Sequence, residues 1–376
     1  MNYWIDWTDI FLRGPRQQTG IQRVVVGVSL ELLKKDSRVK LFTFNKEKKQ
    51  FFEVILSPRS TPSKPEMSAS RVPFSFSRGD CVILLGATWS FTELTDELKK
   101  LKEEQELLIY NFVHDTTATT VPQYYHQAFP MIFKNWIRTF VAPCSQKLIT
   151  NSKNSLNDIN QLLKEMRLKE LPIQEIRLAD KISETIGSIK PSGVLSEKAF
   201  FLCVSTLEPR KNHVLLYYVW NLLLDKFEFN KIPPIYLVGG KGWNNENIQF
   251  QIANHPLLKQ KIIHLENIND SGLLWLYQNC LATLYPAKYE GWGLPVAESL
   301  ALGKYCIASS SSSIPEIGQD LIDYHNPYST EELLHLVTRA IEDKEYVAKK
   351  NQEIKKCYKI TNWDDTASEM WGFINS

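Results

Sequence analysis

Residues 285–298 read YPAKYEGWGLPVAE, and this stretch decides the fold class. An apolar run ends at Tyr285, a glycine-rich turn follows, and Pro295 is predicted to be the first residue of a helix. Strand, turn and helix in this order form the repeating unit of a doubly wound α/β sheet, whose ligands collect at the carboxyl ends of the strands. The stretch therefore predicts a parallel α/β domain with a ligand site in the loop after the strand.

The same alternation runs along the whole chain and predicts two domains with parallel sheets covered by helices. We place the N-terminal domain at residues 1–189, a linker at 190–198 (KPSGVLSEK) and the second domain at 199–360. Predicted strands lie near 3–5, 39–44, 80–85, 107–113, 147–151, 200–204, 235–238, 262–265, 282–285 and 305–308, with N-terminal helical patterns at 23–35, 92–101 and 124–139.

Composition excludes several classes of protein. With 376 residues, 43% apolar and 23% charged, the chain is neither disordered nor fibrous. A net charge of +2 does not favour nucleic-acid wrapping. The six cysteines form no C-x-x-C pair, so we expect free thiols in a reducing cytoplasm. No apolar run is long enough to span a membrane and no signal peptide is recognisable, so we expect a cytoplasmic protein, with contact at a membrane surface left open.

Two carboxylates stand out in the deciding stretch. Glu290 lies in the turn and Glu298 in the predicted first helical turn, beside the backbone amides of Gly293 and Leu294 at the positive end of the helix dipole. Ionised carboxylates accept strong hydrogen bonds from hydroxyls, which favours a polyhydroxylated ligand. The alternative is that Glu298 only complements the dipole and Glu290 is solvated.

A basic pair follows an earlier strand. Residues 204–213 (VSTLEPRKNH) place Arg210 and Lys211 at a strand's carboxyl end and at the start of a helix, where cations are disfavoured. A bound diphosphate would reverse that cost. The alternative is a solvated pair.

Glu290 and Glu298 match the E-x7-E signature of retaining glycosyltransferases resembling family GT4, on the GT-B fold. The resemblance implies two Rossmann-like doubly wound α/β domains facing a cleft, with a C-terminal helix (361–376) that returns to the N-terminal domain. It implies that Glu290 sits by the sugar and Glu298 on the nucleotide ribose. The donor-binding residues implied around them are Gly291, Trp292, Gly293 and Leu294.

Residues 208–212 (EPRKN) resemble mannosyl- and rhamnosyl-type members, in which the basic pair neutralises the diphosphate. One departure is Thr206, which stands where many members carry an arginine, so phosphate neutralisation is expected to depend more on Arg210 and Lys211. Gly239, in a GGKGW turn, is a donor-site candidate, with an ordinary strand-to-loop turn as the alternative. For residues 309–313 (SSSSS) we leave open a pocket-lining role and a flexible polar loop.

Three N-terminal residues complete the candidate set. The resemblance places Gly20 and Arg23 toward the cleft, against the alternative of a helix capped by Thr19 with Arg23 on the surface. His114 follows a strand, where similar enzymes keep a histidine near the sugar, against the alternative of a structural histidine. Asp364 and Asp365 are assigned to the start of the last helix, and we predict neither a metal nor a cofactor.

The expected reaction is transfer of a hexose, with mannose from GDP-mannose as first choice, from a nucleoside diphosphate sugar to a hydroxyl of a glycan or lipid-linked glycan acceptor, without metal and with retention. Surface polysaccharide assembly is implied by the resemblance alone. The alternatives are a rhamnosyl- or glucosyl-type enzyme using a dTDP- or UDP-sugar, a GT-B epimerase or phosphorylase, and a non-catalytic sugar-nucleotide-binding subunit.

Overall fold

The computed structural model describes residues 1–14, 19–57, 66–180, 187–194 and 199–376. These residues form two compact units. The first contains Met1–Pro122, Gln127–Ala179 and Thr361–Ser376, and the second contains Gln123–His126 and Asp180–Ile360. Residues 15–18, next to the candidate Gly20, and residues 195–198 of the predicted linker lie outside the described residues.

The chain enters the second unit ahead of the predicted linker (190–198). The amide of Ile189 donates to the carbonyl oxygen of Ser271 at 3.3 Å, and Val194 is buried in the apolar core of the second unit. Polar and glycine residues at 190–193 led to the prediction of a linker, yet the described part of this segment, residues 190–194, packs against the second unit.

The sheet of the first unit has the strand order β4-β3-β2-β1-β5-β6-β7-β8. All neighbouring pairs are parallel except β2 with β3 and β3 with β4, which are antiparallel. The strands are β1 (Tyr3–Asp6), β2 (Val39–Asn45), β3 (Gln50–Leu56), β4 (Met67–Ala69), β5 (Cys81–Leu84), β6 (Leu108–Phe112), β7 (Ser145–Thr150) and β8 (Ile173–Glu175).

The prediction of a wholly parallel sheet is therefore wrong for this edge. The connection from β2 to β3 is a short polar turn in which Lys49 has a φ of 50°. A parallel crossover needs a dozen or more residues, so a turn this short can only join antiparallel strands. Phe51 and Val54 of β3 are buried against the core.

The second sheet has the order β11-β10-β9-β12-β13-β14, and every pair in it is parallel. The chain runs outward from β9 in one direction and resumes at β12 on the other side, so the connections diverge between these two strands. Such a switch point opens a crevice at the carboxyl ends of the strands. The strands are β9 (Phe201–Val204), β10 (Ile235–Val238), β11 (Ile262–Leu265), β12 (Ala282–Tyr285), β13 (Cys306–Ser309) and β14 (Asp323–His325).

Helices connect most of the strands. They are α1 (Thr8–Arg13), α2 (Gly20–Lys35), α3 (Thr92–Gln105), α4 (Thr117–Thr120), α5 (Phe129–Trp136), α6 (Ala142–Cys144), α7 (Lys153–Glu165), α8 (His213–Lys226), α9 (Glu246–Asn254), α10 (Asp270–Asn279), α11 (Leu294–Ala301), α12 (Ile314–Gly318), α13 (Thr330–Glu342), α14 (Lys344–Cys357) and α15 (Trp363–Asn375). Within the described part of the chain, no helix is both long and apolar enough to cross a membrane.

The C-terminal helix α15 belongs to the first unit, where it packs on α2. Gly27 of α2 faces the indole of Trp363, and a Cβ at Gly27 would approach that ring closer than real contacts allow. Lys35 forms an ion pair with Asp364 at 2.7 Å, and Asp365 accepts the amide of Asn362 in a capping box. Both aspartates thus serve the helix start, as the sequence predicted.

Because Gly27 leaves no room for a side chain, we expect Gly27→Ala to push α15 away from α2 and to lower the free energy of unfolding by about 1–3 kcal/mol. Thermal and urea unfolding of the purified protein measure this change. Gly372→Ala in α15 is the matched control, since a Cβ there meets no atom within 4 Å. Equal effects of the two substitutions would contradict the packing argument.

Candidate active site

Two loops meet at the switch point of the second sheet. Residues 205–212 follow β9 and residues 286–293 follow β12, its neighbour. The amide of Lys288 donates to the carbonyl oxygen of Arg210 at 2.9 Å, and the side-chain amide of Asn212 donates to the carbonyl oxygen of Pro286 at 3.0 Å. These bonds join the two loops, which the sequence separates by more than seventy residues, into one site.

The centre of the site is the carboxylate of Glu290. One oxygen lies 2.6 Å from Nζ of Lys211 and the other 2.8 Å from a terminal nitrogen of Arg210. The exposed fractions of the three side chains are 8%, 13% and 10%. Their burial excludes the alternatives of a solvated carboxylate and a solvated basic pair.

Electrostatics keep this carboxylate ionised. Burial by itself raises the pKa of Glu290, but the charges of Arg210 and Lys211 and the hydrogen bonds they donate outweigh it, so the pKa lies below its ordinary value. The stability of this cluster of three buried charges requires every member, because removing one leaves an unpaired charge in a poorly solvated place.

A second carboxylate, which the sequence analysis did not single out, completes the charge balance. Glu208 accepts a hydrogen bond from Arg210 at 2.8 Å and is itself buried. Burial raises the pKa of Glu208, and the charges of Arg210 and Lys211 only partly oppose that rise. The sequence shows Glu208 two residues before Arg210, but the need for a second anion follows only from the burial of the two cations in the fold.

Arg210 and Lys211 each make a further hydrogen bond. Arg210 donates to the carbonyl oxygen of Tyr289 at 2.7 Å, and Lys211 donates to the hydroxyl of Tyr285 at 3.1 Å. The arginine thus holds both the backbone and the carboxylate of the loop that carries Glu290.

Glu298 lies deeper in helix α11 than predicted. Gly293, with a φ of 137°, precedes the helix, so Leu294 rather than Pro295 is the first helical residue and Glu298 falls in the second turn. Its carboxylate is buried and accepts a hydrogen bond from the hydroxyl of Tyr277 at 2.8 Å. At this depth Glu298 does not cap the helix.

The turn before α11 is buried as well. Gly291, Trp292 and Gly293 are shielded from solvent, while Leu294 is half-buried. A side chain at Gly293 would be strained by the positive φ. Among the described residues, the indole N–H of Trp292 has no hydrogen-bond acceptor.

The serine segment, residues 309–313, begins at the end of β13 and does not form a loose loop. Four of its hydroxyls form hydrogen bonds with the backbone of residues 287–292. The hydroxyl of Ser310 donates to the carbonyl oxygen of His325 at 3.3 Å. The run of five serines gave no hint of this, because hydroxyl partners depend on the fold.

Thr206 and Gly239 come together at the ends of β9 and β10. Gly239 has a φ of 155°, and a Cβ there would collide with the backbone of Ser205, so only glycine permits this approach. Its carbonyl oxygen accepts a hydrogen bond from His264 at 2.8 Å. Thr206 is exposed beside this turn.

Gly20, Arg23 and His114 lie in the first unit. Gly20 is the first residue of α2, and the hydroxyl of Thr19 caps the helix through the amide of Gln22, as the structural alternative predicted. Arg23 is half-buried in the first turn.

His114 follows β6 as a buried residue. Its Nε2 donates to the carbonyl oxygen of Leu85 at 2.8 Å, and its ring lies 4.6 Å from that of Phe112. Burial lowers the pKa of His114, so the ring is neutral at physiological pH. These contacts fix the orientation of the ring, and a role for His114 beside the sugar stays a prediction.

Metal ligands do not cluster in the described part of the chain, where no group of three or more His, Cys, Asp or Glu side chains is close enough to hold an ion.

Comparison with known proteins relates the second unit to a family of transferases. The family model for glycosyl transferases group 1 matches residues 187–357. The second unit therefore resembles the group 1 glycosyl transferases. The serotype-specific mannosyltransferase WbdA of Escherichia coli is 24% identical over 304 residues, which are 77% of this chain and 36% of that protein. O-antigen chain mannosyltransferase B of Escherichia coli is 28% identical over 149 residues, covering 40% of this chain and 38% of that protein. The chain thus spans little more than a third of the length of these curated relatives.

Solved glycosyltransferases share the whole fold. Sucrose-phosphate synthase from Thermosynechococcus elongatus superimposes with a TM-score of 0.69 at 13% identity, covering 100% of this chain and 98% of that one. HepE from Anabaena, in complex with UDP and glucose, gives 0.66 at 13% identity, covering 100% and 99%. The GT-B fold and the resemblance to family GT4 are therefore confirmed.

Loss of the Glu290 charge should destabilise the second unit. Glu290→Gln leaves two buried cations without their shared carboxylate, and we expect unfolding to become easier by about 3–5 kcal/mol. Because the pKa of Glu290 is lowered in the folded state, the wild-type advantage should persist down to its ordinary value of 4.5 and disappear as the pH falls further.

Thermal unfolding between pH 7 and pH 3 measures this difference. The matched control is Glu266→Gln, which breaks an exposed pair with Lys241 at 3.5 Å and should cost less than about 1 kcal/mol. A Glu290→Gln protein as stable as this control at pH 7 would contradict the assigned charge cluster.

Proposed function

We propose that the protein is a retaining, metal-independent glycosyltransferase that moves a hexose from a nucleoside diphosphate sugar to a hydroxyl of a glycan acceptor. The observation that carries this proposal is the buried Glu290 carboxylate held between Arg210 and Lys211 at the switch point of a parallel sheet. A carboxylate and two cations at such a crevice suit a ligand that is both polyhydroxylated and anionic.

Lys211 is the residue that meets the diphosphate. Its ammonium has three N–H donors, and within the described residues Glu290 and Tyr285 accept two of them. The third is directed to a phosphate oxygen of the donor. Arg210 contributes its charge while it holds Glu290 in place.

Charge stabilisation drives the transfer. The bond between the anomeric carbon and the diphosphate oxygen breaks, and the acceptor oxygen bonds to the same face of that carbon. The acceptor proton passes to the departing diphosphate, whose developing charge Lys211 and Arg210 stabilise. Glu290 orients the sugar and forms no covalent bond, and Glu298 accepts the ribose hydroxyls.

Mannose is the preferred sugar, and surface polysaccharide such as O-antigen, capsule or lipopolysaccharide is the preferred product. The support is that the curated relatives are named as mannosyltransferases, two of the names referring to the O-antigen chain. The test below also distinguishes the alternatives, which are a transferase that uses a UDP- or dTDP-linked hexose, an epimerase, a phosphorylase and a non-catalytic binding subunit.

Calorimetric titration with GDP, UDP, dTDP and ADP and their common sugars, in the presence of a chelator, tests the donor site. We expect one nucleotide to bind selectively, with GDP first. Lys211→Ala should weaken that binding by about 10- to 100-fold, because hydrogen bonds to charged groups contribute about 1.5–3 kcal/mol. Glu298→Gln should weaken it similarly, since the amide oxygen still accepts from Tyr277 but the charge is lost.

The outcomes separate the alternatives. NMR of the product, with the configuration at the anomeric carbon retained, would support a retaining transferase. Turnover of the nucleotide sugar without an acceptor would indicate an epimerase, and a need for inorganic phosphate would indicate a phosphorylase. A folded protein that binds no nucleotide would refute the donor site.

We further propose that the protein contacts a membrane surface through the outer face of α5 and of the π-helical segment Ile137–Val141 that follows it. Met131 and Ile132 on this face have exposed fractions of 70% and 46%. Lys134 and Arg138 are exposed beside them, while Phe133 and Trp136 pack inward. Apolar side chains flanked by cations suit the surface of an anionic bilayer.

Sedimentation with vesicles that contain anionic phospholipid tests this surface. The double substitution Met131→Ser with Ile132→Ser should reduce the bound fraction several-fold, because both side chains lose their apolar contact with the acyl region. Val72→Ser is the control, since Val72 is 73% exposed on another part of the first unit. Unchanged binding of the double variant, or a wild type that does not sediment, would refute the contact.

A further inference from the structure

The loop that carries Glu290 is held from the side by the serine segment, which we define as residues 309–313. Five hydrogen bonds connect this segment to the backbone of residues 287–292. They run from the hydroxyl of Ser309 to the carbonyl oxygen of Ala287 (2.5 Å), from that of Ser311 to Lys288 (2.6 Å), from that of Ser313 to Glu290 (3.0 Å) and Trp292 (2.7 Å), and from the amide of Glu290 to the hydroxyl of Ser312 (2.7 Å).

Both backbone polar groups of Glu290 form hydrogen bonds with the serine segment. Its N–H donates to Ser312, and its carbonyl oxygen accepts from Ser313, so both of its backbone polar groups are fixed by side chains from another loop. Ser313 is fully buried. Ser312 has a φ of 51°, in the left-handed region that serine rarely adopts. The fold maintains this unfavourable conformation where the hydroxyl meets the Glu290 amide.

The side chain of Glu290 is held differently. Its carboxylate depends on Arg210 and Lys211, and in the proposed reaction Lys211 also binds the diphosphate of the donor. When the diphosphate accepts from the third donor of Lys211, the lysine charge is shared between two anions, so the ion pair that anchors the Glu290 carboxylate is weakened. The backbone bonds to the serines are unaffected by this sharing of charge.

We propose that Ser312 and Ser313 are positioning residues for the transfer reaction. They fix the backbone of Glu290, so that its carboxylate stays beside the sugar after the diphosphate has engaged Lys211. This inference rests on the proposed function and deepens it, since it concerns the sugar end of the donor and leaves nucleotide binding to other residues. Small displacements of a positioned group cost up to about 100-fold in rate.

The test compares Ser312→Gly and Ser313→Ala with the wild type. Glycine removes the hydroxyl at position 312 and accepts the positive φ without strain, which separates the hydrogen bond from the backbone conformation. Ser312→Asn should partly restore function, since asparagine tolerates this φ and carries an oxygen acceptor. Ser310→Ala is the matched control, because Ser310 is exposed and its hydroxyl bonds His325 instead of the Glu290 loop.

Two readouts are measured. The first is kcat for release of nucleoside diphosphate from the donor sugar, which should fall about 10- to 100-fold in Ser312→Gly and Ser313→Ala and stay unchanged in Ser310→Ala. The second is the calorimetric affinity for the nucleotide sugar divided by that for the nucleotide alone, a ratio that is measured without turnover. This ratio should fall in the same two variants, with the affinity for the nucleotide itself within about twofold of wild type.

Each other outcome overturns the inference. Variants with wild-type kcat and an unchanged affinity ratio would show that the serine bonds do not position Glu290. Variants that lose nucleotide binding as much as turnover would show a collapsed site, which is a structural role. A wild-type protein that binds no nucleotide would overturn the proposed function and this inference together, whereas an active wild type with fully active serine variants would overturn this inference alone.

Discussion

The ion pairs of Glu290 with Arg210 and Lys211 are the interaction on which the site of the second unit depends. Desolvating three charged side chains is unfavourable, and only their close contact offsets it. The contact requires two distant loops to leave the sheet side by side. A parallel sheet with the order β11-β10-β9-β12-β13-β14 provides this, because β9 and β12 are neighbours with connections that diverge.

Several local backbone features near the charge cluster permit that contact. Gly239 lets the turn after β10 approach the backbone of Ser205, and Gly293 lets the chain enter α11 immediately after the Glu290 loop. Asn212, in a left-handed conformation, bonds the carbonyl oxygens of Pro286 and Pro327. Each of them constrains the backbone near the charge cluster, so the carboxylate and the cations are preorganised before a ligand arrives.

The role of a charged residue in this site depends on its neighbours in the fold as well as on its position in a motif. Thr206 occupies the place of an arginine in many similar enzymes, and it is exposed, whereas Arg210 is buried with Glu208 as a counter-ion. In the proposed donor complex, the neutral Thr206 leaves Lys211 as the donor that faces the diphosphate. The structure adds for His114 only that its ring is buried and bonded to the carbonyl oxygen of Leu85.

The sequence by itself determined the alternation of strands and helices and the placement of Glu290 and of the basic pair in loops at the carboxyl ends of strands. Apolar runs and glycine turns are local signals that can be recognised in the sequence. The general rule that parallel strands end at one edge of a sheet then places the loops. Tertiary structure alone decided the antiparallel edge of the first sheet, the counter-ion Glu208, the depth of Glu298 and the partners of the serine hydroxyls. Each of these depends on which distant backbone group or charge lies within hydrogen-bond reach, and short-range sequence patterns carry no record of such distances.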